Sequence, residues 1–141
     1  MTVAEQAPRA VGGEARADAP TIYVCTTCRL PGDAVDAPRP GAALAAATVR
    51  AAENTEIVVH PMRCLGNCKR GCSAAMRSAG AWIYIFGNLD PTTDAEALVQ
   101  GARLLAGSTD GLMPWRERPE VLKRGLIARV PPLDFSEQEP T

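Results

Sequence analysis

The chain has 141 residues, a formal net charge of −1, and 46% hydrophobic but only 4% aromatic residues. That length supports one domain with a sizeable core, the near-zero charge argues against bulk attraction to nucleic acid or a membrane surface, and no apolar run approaches the ~20 residues that cross a bilayer. Residues 1–20 mix Ala, Gly and Pro with scattered charges and lack the basic and apolar regions of a secretory signal, so they read as a disordered leader on a cytoplasmic protein.

Thr21-Ile22-Tyr23-Val24 is β-favouring and delivers Cys25 to the end of a strand. Cys28 follows, and the breakers Pro31, Gly32, Pro38 and Pro40 make residues 29–40 a loop. Pro40 opens a helix that runs on through residues 41–53, with Leu44, Ala47, Thr48 and Ala51 on one face and Asn54 as its stop. Residues 56–60 are a second strand, apolar enough for burial on both faces, which Pro61 ends. A loop carrying Cys64, Cys68 and Cys72 comes next. Residues 73–78 and 81–86 form a hairpin turning at Ala79-Gly80, with Trp82, Tyr84 and Phe86 on one face as a core stripe. Asp90-Pro91 caps and starts a helix to Ala106 whose buried face is Leu98, Val99, Ala102 and Leu105.

Asp110-Gly111 marks a turn, residues 119–124 a short helix stopped by Gly125, and residues 126–130 an extended apolar piece. A polar tail begins at Ser136. Strand, helix, strand, hairpin, helix describes an α/β layer of a four-stranded sheet with packed helices, over residues 21–107. Residues 108–135 then form a C-terminal extension packed on that domain.

The five cysteines are the chemistry of this chain. In a reducing compartment, closely spaced cysteines serve metals or redox exchange more often than structural disulfides, and an odd number fits a disulfide scheme poorly. Thiolate-only sites select zinc or iron–sulfur clusters, and either closes with four ligands. The Cys-x-x-x-Cys-x-x-x-Cys spacing of the second group is looser than a zinc knuckle. A dithiol exchange site at Cys25 and Cys28 is the third reading, but it leaves the other three cysteines without a role. His60, the single histidine, excludes a centre with two imidazole ligands and reads as structural, or as an extra ligand beside Cys72 in a metal-delivery site.

From Ile57 to Leu89 there are four basic residues, Arg63, Lys69, Arg70 and Arg77, and no acidic one. Such cations stabilise an anionic thiolate cluster or face an acidic redox partner, and the patch is small for a nucleic-acid footprint. No phosphate loop, catalytic triad or acid–base pair is apparent, so no catalytic residue is assigned and the expected role is a carrier, not an enzyme.

Cys64-Leu65-Gly66-Asn67-Cys68-Lys69-Arg70-Gly71, then the hairpin with Trp82-Ile83-Tyr84, then Asp90-Pro91 before a helix, resembles the thioredoxin-like [2Fe–2S] ferredoxins over residues 21–107. The resemblance implies a [2Fe–2S] cluster on Cys25, Cys64 and Cys68. Cys28 stands in for a ligand that the family places later in its first loop, and Cys72 competes for that role. It implies redox partners, a reductase and an acceptor enzyme, with no nucleic acid or membrane, and a homodimer. The alternative cofactor on the same cysteines is zinc or cobalt. Including residues 113–119 and 125–131, the chain further resembles an uncharacterised bacterial family described as metal-binding and often encoded among cobalamin-biosynthesis genes.

Overall fold

A computed structural model describes residues 19–29, 38–133 and 135, with the Cys68 side chain outside the description. The expected leader up to residue 18, the loop over residues 30–37 and the tail from Ser136 lie outside the described residues. At the start of the described chain Ala19 and Pro20 are buried, and the Pro20 carbonyl accepts a hydrogen bond from Val58 N–H at 2.9 Å.

Strand β1 (Thr21–Cys25) leads through helix α1 (Pro40–Ala51) to β2 (Val58–Met62), which lies parallel beside β1 with Cys25 opposite Met62. Strand β3 (Ala74–Arg77) pairs antiparallel with β1, and β4 (Ile83–Phe86) with β3. Helix α2 (Ala95–Ala106) and a one-turn helix α3 (Glu120–Arg124) precede β5 (Leu126–Val130). The sheet order is β2-β1-β3-β4-β5. The four expected strands are therefore present, and the correction is a fifth. The apolar run over residues 126–130 lies antiparallel on β4, because that edge would otherwise leave a row of backbone groups unpaired.

Helices α1 and α2 pack on each other and on the sheet. Ile22, Val24, Val59, Met76, Tyr84 and Phe86 from the sheet meet Leu44, Leu98 and Leu105 in one core. The face predicted for α2 is the buried one. Tyr84 and Phe86 are in the core as expected, whereas Trp82 is half-buried under the Arg129 guanidinium.

Two of the boundaries that differ from the sequence reading have a local physical cause. β2 runs through Pro61 instead of ending there, because it is an edge strand and its outer side needs no N–H donor. α2 begins at Ala95, not at Pro91. Asp90 Oδ1 accepts from Thr92 N (2.8 Å) and Thr92 Oγ1 (2.7 Å), and Asp94 Oδ2 accepts from Asp90 N (2.6 Å), so the Asp-Pro signal builds a separate turn first.

The C-terminal extension is bound by polar and apolar contacts alike. Met113 N–H donates to Tyr84 Oη at 2.9 Å, and Arg118 Nη2 donates to the Met113 carbonyl at 2.6 Å. Arg118 itself is buried, its guanidinium 5.5 Å from the Tyr84 ring centroid and 5.0 Å from that of Trp115. Leu122 of α3 is wholly buried and packs on Gly101 of α2, so close that a Cβ on Gly101 would collide with it. Leu122→Ala should therefore destabilise the chain by about 2–5 kcal/mol in denaturant unfolding, the cost of a core truncation. A loss within about 0.5 kcal/mol, typical of surface changes, would mean that the extension is not part of the core.

Candidate metal centre at the cysteine end of the sheet

β1 and β2 are parallel and β3 runs back between β1 and β4, so the ends of β1 and β2 and the start of β3 share one edge. All five cysteines belong to the chain at that edge. Cys25 closes β1, with its N–H donating to the Ser73 carbonyl at 3.1 Å. Cys28, in the turn that follows, is fixed by α1, whose Gly41 N–H donates to the Cys28 carbonyl at 3.2 Å.

Cys28 is buried between two glycines. A Cβ on Gly41 would collide with the Cys25 carbonyl oxygen and come within 3.0 Å of Cys28 N. A Cβ on Gly71 would lie 2.9 Å from Cys28 Cβ and 3.1 Å from its Sγ. The start of α1 and the second cysteine loop thus close on the Cys25–Cys28 turn from two directions. The positive end of α1 also favours negative charge at that turn.

The thiols are surrounded by hydrogen-bonding groups. Cys25 Sγ lies 3.6 Å from Thr27 Oγ1 and 3.8 Å from the Arg63 carbonyl, which also accepts from the Thr27 hydroxyl. Cys28 Sγ lies 3.6 Å from Ser73 Oγ. Burial raises the Cys25 pKa, but hydrogen bonds from Thr27, from the Cys28 thiol and from the Leu65 backbone outweigh it, and the net shift is down. At Cys28 burial and the neighbouring Cys25 push the thiol up. Cys64 is exposed and its Sγ accepts from Gly66 N–H at 3.2 Å, in a turn that Gly66 permits with φ of 75°.

The structure therefore brings Cys25 and Cys28 together and sets the Cys64 loop beside Cys25. Cys68 starts a 3₁₀ turn, Cys68–Arg70. Cys72 is wholly buried next to Gly71. Among the described residues, which exclude the Cys68 side chain, no three His, Cys, Asp or Glu side chains converge as a metal ion requires. His60 stands apart, stacked on Tyr23 with ring centroids 5.7 Å apart. Backbone hydrogen bonds do reach the sulfurs of Cys25 and Cys64, a contact that favours the thiolate form a soft metal or cluster needs.

Sequence reasoning missed Thr27, Ser73 and Asn88. Thr27 lies inside the Cys-x-x-Cys, which was a readable signal; Ser73 and Asn88 carry none. Asn88, with φ of 58°, donates its N–H to the Arg70 carbonyl at 2.7 Å. With its amide oxygen turned inward it accepts from Arg70 Nη2 and Nε, both at 3.1 Å. This reciprocal pair holds the turn that carries Cys68.

A Gly→Ala change within a helix ordinarily stabilises by up to about 1 kcal/mol. Here Gly41→Ala should instead destabilise by about 1–3 kcal/mol, as overpacking does, and should loosen the Cys25–Cys28 turn. Thermal unfolding of the variant checks the sign, and a raised melting temperature would contradict the close approach.

No curated protein matches the chain in sequence. A solved thioredoxin-like [2Fe–2S] ferredoxin from Aquifex aeolicus is similar in fold, with a TM-score of 0.53 and 17% identity, over 85% of this chain and 100% of that one. At that identity the likeness concerns the fold. Residues 22–132 match the family described as "Protein of unknown function (DUF1636)", and the chain belongs to that family.

Proposed function

We propose that this chain is an iron–sulfur electron-transfer protein whose [2Fe–2S] cluster is held by Cys25, Cys28, Cys64 and Cys68. The observation that carries the reading is that the Cys25 and Cys28 thiols meet in one turn, with the Leu65 backbone of the Cys64 loop on Cys25, on a fold shared with a ferredoxin. When bound, the cluster supplies one-electron redox chemistry. The chain's own part is to lower the cost of negative charge on sulfur through Thr27, Ser73, the Leu65 and Gly66 backbone and the start of α1. Cys64 is exposed on the loop whose Arg63 carbonyl and Leu65 backbone lie against Cys25.

In this reading the partners are a reductase and an acceptor enzyme, the protein is cytoplasmic and homodimeric, and its pathway is cobalamin biosynthesis. Among the described residues no helix is long and apolar enough to cross a membrane. Cys28 is taken as the fourth ligand because it shares the Cys25 turn and its thiol interacts with that of Cys25.

Anaerobic purification should give coloured protein with iron and acid-labile sulfide in equal amounts. Cys28→Ser should lower bound iron at least about tenfold, a loss no smaller than that of an outer-shell partner, while Cys72→Ser keeps the native spectrum. Colourless protein with stoichiometric zinc would overturn the cluster in favour of a zinc-binding or metal-delivery site. The reverse pattern of the two serine variants would make Cys72 the ligand.

A further inference from the structure

Both loops that carry the cysteines present cations. Arg39 is exposed beside the Cys25–Cys28 turn, with Nη1 2.8 Å from the Thr27 carbonyl. Arg63 is exposed, and its carbonyl is the group that accepts from Thr27 and Cys25. Lys69 is exposed on the turn that begins with Cys68. Among the described residues no carboxylate pairs with any of these three; the ion pair there, Arg124 with Glu120 at 4.0 Å, is on α3.

The formal charge of the whole chain is −1, yet residues 57–89 contain no acid, so the excess of carboxylates lies elsewhere in the sequence. Asp33 and Asp36 of the first cysteine loop are outside the described residues. Charge segregated in this way orients an approaching partner and raises its encounter rate.

We propose that Arg39, Arg63 and Lys69 form a docking surface for the acidic face of another protein, at the rim of the cysteine site. That this protein is a redox partner rests on the electron-transfer reading above. The patch is short, its loops carry no Trp, Tyr or Phe on which a base could stack, and the chain as a whole is slightly acidic, all of which favours a protein over a nucleic acid.

The test measures fluorescence anisotropy of labelled hexaglutamate, hexalysine and hexathymidylate against the full chain as purified. Hexaglutamate should bind at about 20 mM ionic strength and about tenfold more weakly at about 150 mM, as screening shortens the reach of exposed charges. Arg63→Glu with Lys69→Glu should weaken it at least about tenfold, and Lys69→Glu alone by less, whereas Arg103→Glu on α2 should change it by less than about twofold. Circular dichroism confirms that the variants fold; all three positions are exposed. Absent hexaglutamate binding, equal binding of hexalysine, or equal loss in Arg103→Glu would overturn the proposal. Hexathymidylate binding as tightly would replace it with a nucleic-acid surface. Iron and sulfide are assayed on the same sample: binding by protein without either sinks the cluster and leaves the surface, while cluster-bearing protein that does not bind sinks only the surface.

Discussion

The site depends on how closely three pieces of backbone approach at Cys28. Gly41 at the start of α1 and Gly71 at the end of the second cysteine loop both touch it, and neither position has room for a Cβ. Because that contact joins the first loop to the second, the spacing of the two cysteine groups is set by backbone packing, not by long side chains. That contact fixes the Cys28 end of the site through backbone packing instead of side-chain rotamers.

The second loop is held from its other side by the C-terminal extension. Gly87 N–H donates to the Gly125 carbonyl at 2.8 Å, and a Cβ on Gly87 would come within 3.0 Å of Arg70 Cβ. Asn88 then grips Arg70 through its backbone and its amide. The strand that widens the sheet, β5, therefore also braces the turn bearing Cys68. The extension links the packing of α3 and β5 to the geometry of the cysteines.

Much of this was legible in the sequence because the signals are local. Pro40 at the first turn of α1, Gly125 after α3 and the apolar spacing of α2 each act through neighbouring residues. Fifth-strand pairing was not legible, since residues 126–130 declare an extended piece but not the edge it joins. Asp90-Pro91 misled for a related reason: the side chains of Asp90 and Asp94 bond to backbone two and four residues away and delay the helix. At the site, the cysteines announced themselves, whereas Asn88 and Ser73 matter through tertiary contacts that no spacing encodes.

If the Cys25–Cys28 turn and the Cys64–Cys68 loop share one iron–sulfur cluster, iron must lie between them. Anomalous diffraction at the iron edge, from crystals of anaerobically purified protein, locates it. Paired iron peaks are expected between Cys25, Cys28, Cys64 and Cys68, with Cys72 outside the coordination shell. A zinc-edge peak at those cysteines, or iron density elsewhere on the chain, would contradict a shared cluster.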